Sequence, residues 1–276
     1  MKNFWVRTAS AIVYVALIIF TTYASRWLNP LWGRIIQQGF FLWVALDGIR
    51  EFYKMTDLKG TQVNKGMGYV LGAVVFLMLS NYEEWSWMQT LSVGVIPAMA
   101  LLAIILQLWR HSENAFAELG MTILPVLYIA MPLSLVWPIG SVVGSPNLLM
   151  MVFGLVWIND ACAYMGGSLI GRHKLWTRHS PGKTWEGCLC GFVFTIVAAI
   201  FIGPLMDDSY SRVVWIALAL VCSIIGTLGD LSESMFKRSC CVKDSGHVMP
   251  GHGGVLDRFD SILASIPFVY IIIVCC

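Results

Sequence analysis

Nine apolar runs, bounded by charged, proline or glycine positions, occupy most of this chain: Thr8–Ser25, Pro30–Ile49, Gly66–Ser80, Leu91–Trp109, Leu119–Ile139, Asn147–Ile170, Gly187–Met206, Val213–Gly229 and Ile262–Cys276. A helix needs about 20 residues to cross a ~30 Å hydrocarbon core, and most of the runs have that length. The strands of a membrane barrel are about ten residues long and alternate apolar with polar positions, a pattern these runs do not follow. Only 12% of the residues are charged while 58% are hydrophobic, which excludes an ordinary soluble enzyme. The expected fold is therefore all-α: a polytopic integral membrane protein of about nine transmembrane helices, with the third and ninth runs short for a full crossing.

The basic residues orient such a chain. With the N-terminus in the cytoplasm, fifteen of the 18 Lys and Arg fall in cytoplasmic segments, leaving Arg26 and Arg212 outside and Arg34 within a span. Lys and Arg concentrate on the cytoplasmic side of membrane proteins, so a cytoplasmic N-terminus is expected. Glu83, Glu84, Asp207 and Asp208 then lie in outward loops, beside an interfacial belt of Tyr82, Trp85 and Trp87. All five His, including His111 and His173, fall inside. A net charge of +2 gives no footing for nucleic acid. The eight Cys contain no CxxC pair and read as reduced, mostly apolar side chains.

Polarity is uneven along the chain. Residues 1–146 read as a transmembrane scaffold, possible dimer contacts included, whereas residues 147–276 hold the dense polar stretches and are the expected catalytic region. The longest of these runs from Ser234 to Ser261 and carries Lys237, Arg238, Lys243, Arg258, three aspartates and the run Pro250, Gly251, His252, Gly253, Gly254. Glycines let backbone N–H groups approach a phosphate, and Lys and Arg supply the charge, so phosphate chemistry is the natural reading. The bland alternative is a basic loop attracted to anionic headgroups.

Carboxylates also recur at helical spacing. On a helix continuing past the eighth run, Asp230, Glu233, Ser234 and Lys237 share one face, and Asp257, Asp260 and Ser261 repeat the pattern before the ninth. Gathered carboxylates repel unless a cation neutralises them, and hard oxygen ligands beside phosphate favour Mg²⁺ or Mn²⁺. Simple ion pairing with Arg258 or Lys237 is the alternative. Asp160, beside Asn159, sits ~20 Å along an inward-running span, where an ionisable group is costly unless it lines a polar cavity or packs against another helix. In the second basic loop, Ser180, Pro181, Gly182, Lys183 and Thr184 read as a turn that cradles phosphate near a helix start, with Glu186 following. No Walker A motif is present, because position 177 is Thr. Asp47, near Arg50 and Glu51, reads as structural.

At Ser234, Phe236, Lys237, Arg238, Lys243, Asp244, Gly246, Met249, Pro250, His252, Gly253, Gly254, Asp257, Arg258 and Asp260 the chain resembles the phosphatidate cytidylyltransferase, or CDP-diacylglycerol synthase, family. Met249 stands where the family has Leu, Ile or Phe, a volume-conserving change. The stretch from Trp157 to Gly187, with Asn159, Asp160 and Tyr164, is similar too. The resemblance implies a membrane nucleotidyltransferase of phospholipid biosynthesis, homodimeric, in a bacterial inner membrane with its site facing the cytoplasm. Its substrates would be CTP and phosphatidate in the bilayer, its products CDP-diacylglycerol and pyrophosphate. It implies Mg²⁺ held by Asp230 and Asp257, with Asp260 behind them or on a second cation. Asp160 and Lys237 join these as catalytic positions. Ser180, Lys183, Arg238, Lys243, His252, Gly253, Gly254 and Arg258 are expected to bind substrate phosphates, His252 being either a phosphate contact or a structural cap.

Overall fold

The computed structural model describes residues 2–57, 62–82, 86–110, 114–246, 248 and 253–276. Among them nine helical rods follow the nine apolar runs: α1 Lys2–Trp27, α2 Pro30–Asp57, α3 Lys65–Ser80, α4 Ser86–Leu106, α5 Ala115–Ser141, α6 Pro146–Ile170, α7 Trp185–Met206, α8 Arg212–Ser239 and α9 Leu256–Val274. Six of them, α1 and α4 to α8, are long and apolar enough to cross a membrane. Among the described residues the protein is thus an all-helical integral membrane protein apart from one small ribbon.

Local chemistry sets several of the helix starts. Ser145, Thr184 and Ser211 each cap a helix by accepting from a backbone N–H in its first turn, and Pro146 follows Ser145 where a missing N–H is harmless. Asn64 and Asn114 do the same for α3 and α5. Two rods carry a π-helical turn, at Val126–Ala130 in α5 and Val221–Ile225 in α8. In α5 the turn lies between Pro125 and Pro132, neither of which donates a backbone hydrogen bond.

Two differences from the sequence reading matter for the site. The eighth rod does not stop at Gly229 but runs on to Ser239, and the ninth begins at Leu256 rather than Ile262. Both extensions are polar, so an apolar run marks only where a helix meets lipid. The segment Ser180–Thr184, expected as a turn, is instead strand β2, paired antiparallel with β1 at Lys174–Trp176. Pro181 biases Ser180 away from helix, and the register Lys174↔Thr184 and Trp176↔Ser180 gives the extended backbone its partners.

Two compact units divide the chain, one of Met1–Pro138 with Asp244–Asp257, the other of Ile139–Lys243 with Arg258–Cys276. The core of the first is made by α2, α3 and α5, with Phe41, Val44, Ile49, Phe76, Ile129 and Leu133 buried. There Tyr53 donates from its hydroxyl to the Thr122 carbonyl at 2.8 Å, and Asp47 pairs with Arg50 at 2.6 Å, the structural role read for it. In the second unit Leu148, Val152, Phe153 and Val156 of α6 are buried, as are Trp215 and Leu218 of α8 and Leu263 and Ile266 of α9. All eight cysteines are free thiols.

Candidate active site

The second unit gathers its ionisable side chains from α6, the ribbon, α8 and α9. Close approach of α8 and α9 begins the site: a Cβ on Gly229 would lie 2.5 Å from the Ala264 Cβ and 2.7 Å from the Asp260 carbonyl, so only glycine lets the two helices meet there. Asp230, the next residue, is thereby brought beside Asp260. Glu233 follows one turn along α8, and the three side chains offer carboxylate oxygens all within 4.8 Å of one another. Asp160 on α6 lies within electrostatic reach of Asp230 and Asp260.

Basic groups balance this charge. Lys183 on β2 places its Nζ 2.7 Å from Asp230 Oδ2 and donates to the Thr227 carbonyl at 3.4 Å. Lys237, one turn beyond Glu233 on the same face, pairs with it at 2.7 Å. Glu233 is fully buried and Lys237 nearly so. Arg258 adds its field at Asp160. The i, i+3, i+4, i+7 face expected of Asp230, Glu233, Ser234 and Lys237 exists as a helical surface, with Ser234 Oγ donating to Asp230 Oδ1 at 3.4 Å.

The ribbon that carries Lys183 is tied down from two sides. The Trp185 N–H donates to the His173 carbonyl at 2.9 Å, while Glu186 accepts from the N–H groups of Arg172 and His173 and meets His173 Nδ1 at 2.5 Å. Thr184 caps α7 one residue after Lys183. A lysine in this position is therefore held by a strand, a helix start and an ion pair together. Buried Asn159, 2% exposed, donates toward Thr227 Oγ1 and Asp160 Oδ1 at 3.4 Å each, orienting the carboxylate.

Other expected residues have other partners or are exposed. Arg238 is exposed and directs its guanidinium to backbone carbonyls, His179 at 3.4 Å and Val242 at 3.0 Å, closing the end of α8. Lys243 is exposed and Ser180 half-buried on β2. His252 lies outside the described residues. Gly253, Gly254 and Asp257 belong to the first unit, where Asp257 Oδ2 accepts from the N–H of Gly254 at 2.7 Å and from the N–H and hydroxyl of Ser245 at 3.0 Å each. Gly253 adopts φ +83°, a conformation that itself calls for glycine.

Sequence reading missed three participants. Glu233 was placed on the right face but given no ligand role, although its carboxylate completes the oxygen set. Thr227 sits within an apolar run and carried no signal, yet meets both Lys183 and Asn159. Glu51, far away in sequence, receives hydrogen bonds from the signature segment.

The model of the cytidylyltransferase family matches residues 5–276. The chain belongs to this family. Curated relatives include the phosphatidate cytidylyltransferases of Staphylococcus aureus strain COL, 30% identical, and of Staphylococcus saprophyticus, 29% identical, each over 269 residues and 98% of both chains. The enzyme from Staphylococcus epidermidis strain RP62A is 29% identical over the same share. The match therefore extends through the N-terminal helices as well, beyond the two motif regions that carried the resemblance.

Proposed function

We propose that this membrane nucleotidyltransferase transfers the cytidylyl group of CTP to phosphatidate, giving CDP-diacylglycerol and pyrophosphate in phospholipid biosynthesis. The observation that carries this reading is the joining of Asp230, Glu233 and Asp260 into one oxygen cluster balanced by Lys183 and Lys237, in a chain of this family. Three carboxylates with oxygens so close form a donor set for a hard divalent cation, Mg²⁺ by chemical preference, and the lysines balance their charge otherwise. The cation supplies neutralisation of the triphosphate and of the leaving pyrophosphate.

The residues of the chain do the positioning. An oxygen of the phosphatidate phosphate forms a bond to the α-phosphorus of CTP, the α–β bridging P–O bond breaks, and the electron pair leaves with pyrophosphate. No covalent protein nucleophile is needed; in-line alignment and electrostatic stabilisation suffice. Asp230 and Asp257 hold Mg²⁺, with Glu233 and Asp260 as further oxygen donors that also suit a second cation. Asp160, fixed by Asn159, sets the field around Lys183. Lys183, Lys237, Arg238, Lys243 and Arg258 serve the phosphates of the two substrates, together with Ser180, His252, Gly253 and Gly254.

The same reading assigns catalysis to residues 147–276 and the scaffold to residues 1–146. It takes all nine rods as spans, with the N-terminus and the site on the cytoplasmic side of a bacterial inner membrane, because the basic residues gather there. A homodimer is carried forward from the family resemblance, and sedimentation in detergent measures it. The deciding experiment follows CTP-dependent pyrophosphate release by purified protein with phosphatidate and Mg²⁺, with lipid-product analysis beside it. Activity dependent on phosphatidate and lost in Asp257→Asn and Asp230→Asn supports the reading. Product only with an isoprenoid lipid acceptor, or none from a folded sample, rejects it.

A further inference from the structure

Glu51 stands near the C-terminal end of α2, in the part of the chain assigned as scaffold, and is 0% exposed. Its two oxygens face the signature segment. Oε1 accepts from the Val255 N–H at 3.0 Å, and Oε2 accepts from the Leu256 N–H at 2.9 Å and from the Ser245 hydroxyl at 2.8 Å. These partners are 194 to 205 residues away in sequence. All of them lie in the same compact unit as Glu51.

The arrangement is a helix cap supplied from another helix. The first N–H groups of α9 have no partners within the helix, and an N-terminal side chain ordinarily accepts from them. Gly254 has no side chain to do so. Glu51 takes that role for Val255 and Leu256, while Asp257 reaches back to the Gly254 N–H as an acidic residue does in a capping box. A carboxylate at the positive end of a helix is favoured in addition.

Two signature glycines make room for this cap. A Cβ on Gly254 would lie 2.2 Å from Glu51 Oε2 and 2.3 Å from Ser245 Oγ, and one on Gly246 would lie 2.0 Å from Glu51 Oε1. Gly254 was read above as part of a run making room for a phosphate; here the neighbouring atom is the Glu51 carboxylate. Ser245 joins the two acids, its hydroxyl lying 2.8 Å from Glu51 Oε2 and 3.0 Å from Asp257 Oδ2. Its N–H donates to the same Asp257 oxygen at 3.0 Å. With Oδ2 held by the N–H groups of Ser245 and Gly254, and the single Ser245 hydroxyl proton shared between it and Glu51 Oε2, the direction of the carboxylate is set by a frame that Glu51 anchors.

We propose that Glu51 is a positioning residue of the reaction: it caps α9 from α2 and, through Ser245, holds the Asp257 carboxylate in the orientation in which it serves the divalent cation. The inference rests on the role assigned to Asp257 under Proposed function. Groups that orient a metal ligand typically change metal affinity or activity by about 10–100-fold when removed.

The test measures pyrophosphate release by the full-length protein against Mg²⁺ concentration, at saturating CTP and phosphatidate, for Glu51→Gln, Ser245→Ala and Asp257→Asn, with thermal unfolding in detergent recorded for each. In Glu51→Gln one acceptor facing Val255 or Leu256 becomes a donor, so half-saturating Mg²⁺ is expected to rise by about tenfold or more and turnover to fall by a similar factor. The KM for phosphatidate should stay within about twofold, since the hydrogen bonds of Glu51 go to Ser245, Val255 and Leu256, none of which is assigned to a substrate phosphate. Ser245→Ala leaves the cap intact and cuts only the link, so it should raise half-saturating Mg²⁺ by several-fold with unchanged unfolding; it decides the matter if Glu51→Gln does not fold. Wild-type Mg²⁺ dependence in folded variants, or a fall in turnover without a change in that dependence, overturns the proposal and leaves Glu51 a purely structural residue. Full activity of Asp257→Asn overturns the parent reading instead, a different signature from wild-type behaviour of Glu51→Gln beside a dead Asp257→Asn.

Discussion

In the unit built from Ile139–Lys243 and Arg258–Cys276, Asp230 and Glu233 are balanced by lysine side chains, whereas Glu51 and Asp257 in the other unit are met by backbone N–H groups and a hydroxyl. A lysine on a flexible stem exchanges readily: it can leave a carboxylate for a phosphate while a cation takes its place. A backbone N–H cannot leave without unravelling the turn that holds it. The first arrangement suits groups whose partners change during a reaction, and the second suits groups that must keep one direction throughout. Under the proposed mechanism, these two sets of carboxylates divide the work into charge exchange and fixed geometry.

That contrast can be broken experimentally, beginning where the effect is largest. Removing divalent cations with a chelator should abolish turnover, and Mg²⁺ should restore it; full activity after chelation, with bound metal measured as absent, defeats the cation role. Asp230→Asn removes a ligand charge with little change of volume and should lower turnover on the order of 10³-fold while the unfolding temperature stays near wild type. Lys183→Met keeps the apolar stem but removes the exchangeable charge, so a loss of about 10²-fold in turnover is expected. A loss below about threefold would mean that Lys183 serves only to pair with Asp230. Thr184→Ala should cost about 1 kcal/mol through the α7 cap, seen as a lower unfolding temperature with a small change in turnover. Smallest of all, Asp47→Asn breaks a peripheral ion pair with Arg50 and should change stability by less than about 1 kcal/mol.

Parts of this division were legible in the chain itself. The face of Asp230, Glu233 and Lys237 follows from helical spacing alone, because residues three and four apart must stand above one another wherever the helix continues. Lys183 was marked as a phosphate-facing cation from its neighbours Ser180, Gly182 and Thr184, but its place on a strand rather than a turn was hidden. Pairing with Lys174–Trp176 is a backbone interaction that no side-chain pattern spells out over so few residues. Glu51 was passed over because it stands among Asp47, Arg50 and Lys54 at the end of a span, where charge is ordinary, and its partners lie about two hundred residues further on.

Length and hydropathy of the runs by themselves determined an all-helical membrane protein and nearly all of its rods, since a bilayer admits few solutions to backbone hydrogen bonding. Spacing determined which carboxylates share a helix face. Only the tertiary structure decided that Glu233 completes an oxygen set with Asp230 and Asp260, that Lys183 meets Asp230, and that Glu51 caps the signature helix in place of a side chain Gly254 lacks. The physical reason is range: periodicity is a property of one element, while a site depends on which elements glycine allows to come close and which charges then neutralise one another.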